Sequence, residues 1–189
     1  MPKSVIVIVG PIASGKGTVV EILKEKGYVP YSFSDRIKEE IKSRGMEITR
    51  FTLNQVSNDL RQTLGTNILA IRNAEKIDQE NPELVVVDGA RNPEEIKFLQ
   101  EKYNAKVLGL SANQETRYER LRKRGLVNEN LTLEQFKELD DRENNQKDEH
   151  AQQIGESIKL ANEVLDNNGT IEDLKKEVND FISSSQTEA

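Results

Sequence analysis

Apolar residues fall in short, dense blocks along this chain, separated by longer stretches with helical spacing. Ser4 to Val9 is a continuous β-branched run, the pattern of a central parallel strand covered on both faces. Leu84 to Asp88, LVVVD, has the same character. Tyr28 to Phe33, Lys106 to Leu110 and Glu163 to Leu165 read as three further strands, which makes five. Between them, Gly15 to Lys26 carries helical spacing through Val19, Val20, Ile22 and Leu23 and stops at Gly27. Ser34 or Asp35 caps a second helix that runs to about Ser43. Thr52 to about Gln79 is helical with a break near Gly65, and Pro82 ends it.

The remaining elements follow by the same reading. Asn92, Pro93 and Glu94 form a cap with proline at the first helical position. Asn113 to Arg124 and Leu131 to Asn145 are helical, whereas Asn144 to Glu149 is too polar to bury anything and reads as mobile. Asp166 to Gly169 is a turn, Ile171 to Ile182 a closing helix, and SSSQTEA a disordered tail. Strands alternating with helices predict βαβ units on a parallel sheet, with ligands at the carboxyl ends of the strands.

Bulk properties narrow the function classes. At 189 residues, a single domain over 1–183 is expected, with 184–189 as tail. The net charge is −6 and basic residues are scattered among acidic ones, so no nucleic-acid partner is expected. The absence of cysteine excludes disulfides, thiolate metal sites and thiol nucleophiles, and fits a cytoplasmic location. His150 is the only histidine, so a histidine metal cluster is excluded as well. The apolar start is interrupted by Gly10 and Pro11 and lacks a cleavage site, and no stretch is long enough to span a bilayer. A soluble protein with no membrane partner is expected.

The segment that carries chemistry is Gly10 to Thr18, GPIASGKGT, which fits G-x-x-x-x-G-K between a strand and a helix. Gly10, Ala13, Ser14, Gly15, Gly17 and Thr18 are the expected ATP cradle: inward amides, the positive end of a helix, and Lys16 on the β- and γ-phosphates. The fold that this motif implies is a three-layer α/β/α P-loop NTPase with a five-stranded parallel sheet. A glycine-rich turn with a solvent-facing lysine is the bland alternative. Gly17 stands where a magnesium-binding hydroxyl is common, so Thr18 and Asp88 are expected to hold Mg2+ mainly through water.

Asp88 ends a buried strand and Arg91 lies three residues on, facing the same crevice to fork onto an acceptor phosphate. A turn aspartate and a surface ion pair are the structural alternatives. Arg117, Arg120 and Arg124 share a helix face and, with Arg142 in DDRE, are candidates for an arginine clamp on the transferring group; a solvated helix end is the alternative. Ser34, Asp35 and Arg61 lie between the P-loop and Asp88, where an acceptor site belongs, although Arg61 also suits a salt bridge and Asp35 a cap.

These residues resemble the nucleoside monophosphate kinase group of P-loop kinases over nearly the whole chain. GKGT at Gly15 to Thr18 is similar to the adenylate kinase phosphate loop, and DGAR at Asp88 to Arg91 to its acceptor-phosphate segment. RLRKR at Arg120 to Arg124 resembles the arginines flanking the lid, with Arg142 on the return helix. The order of SD, LR-x-x-LG, DG-x-R, D-x-RE and NNG is similar to archaeal adenylate kinase-related proteins. ANEVLDNNGTIEDL resembles the dephospho-CoA kinase loop beside adenine, which implies Asn167 and Gly169 at the nucleotide. The likeness implies a helical acceptor-binding part over about 34–80 and a short lid over about 125–145. It also implies an ATP- and Mg2+-dependent kinase whose small-molecule acceptor is a nucleoside monophosphate. A dephospho-CoA kinase-like enzyme with Asp35 as base, and a nucleotide-dependent switch or slow ATPase contacting a partner through Asn144 to Glu149, are the alternatives.

Overall fold

The computed structural model describes residues 1–125, 131–144 and 153–187; for Arg50, 142–144 and 186–187 the backbone alone is described. Five strands form one wholly parallel sheet: β1 (Ser4–Val9), β2 (Val29–Ser32), β3 (Leu84–Asp88), β4 (Lys106–Ser111) and β5 (Glu163–Asp166). Their order is β2-β3-β1-β4-β5. β1 is therefore central, with β3 and β4 on either side, and the chain turns outward in both directions from it. A crevice at the carboxyl end of β1 follows from that reversal.

Alternation of side chains across β1 separates two layers of core. Val5, Val7 and Val9 join Val85, Val87 and Val107 against α2 (Phe33–Ser43), α3 (Arg50–Leu64), α4 (Ile68–Glu80) and α5 (Pro93–Tyr103). Ile6 and Ile8 join Val86, Leu108 and Leu110 against α1 (Lys16–Glu25) and α9 (Ile171–Thr187). Helices on both faces explain why these strands lack polar positions, and the three-layer α/β/α expectation holds.

A third, smaller cluster places Leu121 of α6 (Gln114–Lys123) and Phe136 of α7 (Leu133–Asn144) on Ala13 of the P-loop. The helix break expected near Gly65 separates α3 from α4, where Gly65 takes φ 104°. α2 starts earlier than its sequence signal, because the Ser32 side chain accepts the Ser34 amide and makes Ser32, not Ser34 or Asp35, the cap. A short helix, α8 (Ile154–Ile158), has no counterpart in the sequence reading. α9 also runs on to Thr187, so the SSSQTEA segment is helical through that residue rather than disordered from 184. The Ser183 and Ser184 hydroxyls donate back to the Asn179 and Phe181 carbonyls along this last stretch. The polar stretch from Asn144 to Glu149 falls, apart from Asn144, outside the described residues.

Candidate functional site

The phosphate loop is strand end, turn and helix start in one piece. Gly10, Ala13 and Gly15 take φ values of 152°, 60° and 110°, the left-handed side of conformational space. Neighbours enforce this geometry. A Cβ at Gly10 would stand 2.5 Å from the Leu110 carbonyl oxygen, and one at Gly15 would stand 2.1 Å from Asn167 Nδ2. Ala13 tolerates its φ because its methyl group is buried with Leu121 and Phe136. At Gly17 a Cβ would meet nothing within 4 Å, so the approach to the helix start is open. α1 has no side-chain cap and no acid in its first turn, which leaves its leading amides and dipole to an anion.

Lys16 lies inside the crevice. Its Nζ donates to the carbonyls of Gly10 (2.8 Å) and Pro11 (2.9 Å). Burial pushes its pKa down to about 8; Asp88 opposes that shift, and Arg91, Arg117 and Arg124 add to it. Asp88 is raised above the ordinary carboxylate range, chiefly by burial, while Lys16, the Gly89 amide and Arg91 pull the other way. Its Oδ1 is buried without a hydrogen-bond partner. An unpartnered carboxylate oxygen beside a phosphate loop suits a hydrated magnesium ion, with Thr18 on the first turn of α1 nearby in the chain. Among the described residues no group of three metal-ligating side chains gathers.

A cavity of about 200 Å³ opens beside Lys16. Ser34, Arg61, Asp88 and Arg91, brought in from α2, α3 and the end of β3, line it together with Asn54 and Ser57. The apolar side of the cavity is Ile12, Phe33, Ile37 and Leu53. Four of the residues expected from sequence at the acceptor and phosphate sites therefore share a wall with the lysine. Asp35 is different: it is exposed, pairs with Lys38 at 3.0 Å, and leaves the wall to Ser34. Its charge still contributes to the upward shift at Asp88.

Arg61 is buried, and its Nε and Nη2 donate to Glu95 Oε1 at 3.0 and 2.8 Å. The salt-bridge reading of this residue is thus correct, yet its Nη1 is buried without a hydrogen-bond partner, and Arg61 lines the cavity. Glu95 escaped the sequence reading. The spacing of Asn92 and Glu95, which proves to be a capping box, is the signal that marks it.

The arginines of α6 divide. Arg117 is corrected from clamp to scaffold: it is buried, pairs with both oxygens of Asp140, and donates to the carbonyls of Ala112 and Ile12. Its charge is consumed in fastening α7 and the P-loop to α6. Arg120 donates to Asn167 O at 2.9 Å and Ala13 O at 3.4 Å, and desolvation followed by Arg124 lowers its pKa. Arg124 is exposed at the end of α6. The Arg142 side chain lies outside what is described, as do residues 126–130 and 145–150 of the expected lid and switch surface. Asn167 is buried and donates from Nδ2 to the Ser14 carbonyl at 2.8 Å, so the NNG turn touches the phosphate loop directly. Gly169 instead faces Asp173, whose Oδ2 would lie 2.9 Å from a Cβ there.

Residues 6–137 match a family model described as an AAA domain. A UPF0200 protein of Hyperthermus butylicus is 30% identical over 181 residues, covering 96% of this chain and 94% of its own length. Among solved structures, a shikimate kinase from Bacteroides thetaiotaomicron superposes with a TM-score of 0.61 at 12% identity, over 95% of this chain and 98% of that one. A gluconokinase from Sinorhizobium meliloti gives 0.50 at 16% identity, over 93% and 89%. At such identities the likeness is one of fold, and the fold is that of the P-loop kinases. No helix among the described residues is long and apolar enough to cross a membrane.

Proposed function

The chain belongs to the UPF0200 family, and from that membership, its P-loop kinase fold and its crevice we propose an ATP-dependent phosphotransferase acting on a small acceptor, first a nucleoside monophosphate. One observation carries the reading: Lys16, Asp88, Arg91 and Arg61, whose Nη1 is unpartnered, line one cavity at the phosphate loop. In-line transfer of a phosphoryl group needs positioning and cations more than covalent chemistry, and this cavity supplies both. The loop amides and Lys16 would hold the β- and γ-phosphates. Asp88 would hold the hydrated magnesium, which would supply charge neutralisation to the phosphates. Arg61 and Arg91 would receive the phosphate of the acceptor, with Ser34 and Asn54 beside it and Ile37 and Leu53 against its apolar part. Arg120, Arg124 and Arg142 remain candidates for the side of the nucleotide, and Gly169 for the adenine edge.

A hydroxyl acceptor is the second reading, favoured by the buried, unpartnered Oδ1 of Asp88 and its raised pKa. Asp88, rather than the exposed Asp35, would then take the hydroxyl proton. Shikimate kinase and gluconokinase are named for acceptors of that kind.

A coupled ADP-release assay over a panel of monophosphates, dephospho-CoA and small hydroxy acids separates these readings. ATP consumption that no acceptor alters would sink both and point to a nucleotide switch. Lys16→Ala should lower kcat/KM by at least about a hundredfold, the scale of losing one electrostatic contact to a developing charge, with the circular dichroism spectrum of the folded chain retained. Full turnover in that variant would overturn the assignment.

A further inference from the structure

Glu95 has 0% of its surface exposed and Arg61 2%, so this ion pair is sealed from water. Such a pair stabilises little over apolar side chains of equal volume, and its presence therefore asks for a reason other than stability. The carboxylate shows one. Oε1 takes two N–H groups of Arg61, and Oε2 takes the backbone amides of Arg91 at 2.9 Å and Asn92 at 3.1 Å. One side chain on α5 thus fixes a guanidinium from α3 and the backbone beside the second acceptor-site arginine. Two of the three Arg61 nitrogens are committed, and Nη1 is left buried without a partner on a residue that lines the cavity.

We propose that Glu95 is the positioning residue of the acceptor site, holding Arg61 so that Nη1 donates to a phosphate monoester carried by the acceptor. Nη1 is already desolvated, so an arriving phosphate oxygen repairs an unmade hydrogen bond with charge assistance, which a neutral acceptor group does not supply. Discrimination for phosphate-bearing acceptors follows from that difference. The inference rests on the phosphotransferase reading only in taking the bound anion to belong to the acceptor.

The test fills the P-loop with magnesium and adenylyl imidodiphosphate, then titrates inorganic phosphate and, separately, AMP by calorimetry. Glu95→Gln replaces one acceptor oxygen by a donor, and Arg61→Lys keeps the charge but loses the fork. Each variant, checked for folding by thermal melting, should bind phosphate about tenfold or more weakly, with nucleotide-analogue affinity kept within about twofold, as expected for one charge-assisted bond. In the wild-type protein, the 15N resonance of Arg61 Nε, assigned by its loss in Arg61→Lys, should move on phosphate addition; this arm stands even if both variants unfold. A folded variant with wild-type phosphate affinity, phosphate that fails to bind the analogue-loaded protein, or an unmoved Arg61 resonance would each overturn the proposal. Failure of the analogue itself to bind counts against the phosphotransferase reading instead.

Discussion

At the level of single residues, the phosphate loop is a set of positions where a neighbour dictates the side chain. Gly15 combines φ 110° with a Cβ position 2.1 Å from Asn167 Nδ2. Gly15→Ala should therefore cost about 1–2 kcal/mol from the left-handed backbone alone. Displacing Asn167 should also weaken ATP binding, and urea unfolding with ATP titration would measure both. Lys16 makes a second prediction. Its folded pKa of about 8 lies below the ordinary lysine value of 10.5, so between those values the unfolded chain holds a proton that the folded chain does not. The contribution of Lys16 to stability consequently rises with pH through that window. ATP affinity moves oppositely, falling above about pH 8, because the polyphosphate selects the ammonium form. Calorimetry at pH 8 in buffers of different ionisation heat should show proton uptake on ATP binding, and Lys16→Met should abolish it.

Elements show what the sequence makes legible and what it hides. β1 and β3 are visible because strands buried on both faces have no polar positions, and the phosphate loop is visible because its glycines and lysine are contiguous. The pairs that assemble the site are not. Arg61 meets Glu95 across 34 residues and Arg117 meets Asp140 across 23, and neither partner leaves a periodic trace. Helical spacing puts Arg117 with Arg120 and Arg124 on one face, but it does not tell which guanidinium turns inward to a carboxylate on the next helix. That distinction is testable. Asp140→Ala leaves the Arg117 charge buried and should cost about 3–5 kcal/mol, whereas Arg117→Met with Asp140→Leu together should come close to neutral. Chemical denaturation of the two variants would decide it; an Asp140→Ala protein of wild-type stability would return Arg117 to the clamp.

For the molecule as a whole, the sheet order sets which parts of the chain can cooperate. Reversal at β1 puts the phosphate loop between the first segment and the last, and the cavity beside Lys16 between the first segment and the middle. A chain ending at 162, lacking β5 and α9, should lose ATP binding as well as stability, because Leu165, Leu174, Val178 and Phe181 complete one core layer. Circular dichroism and ATP titration of that fragment would check it, and retained nucleotide affinity would contradict the architecture.

The bond from Asn167 Nδ2 to the Ser14 carbonyl spans 153 positions of chain. During synthesis, the phosphate loop emerges well before the segment that carries Asn167, so this bond forms only once β5 has been made. If the loop holds ATP as proposed, a product released before that strand would compete poorly for the cellular ATP pool.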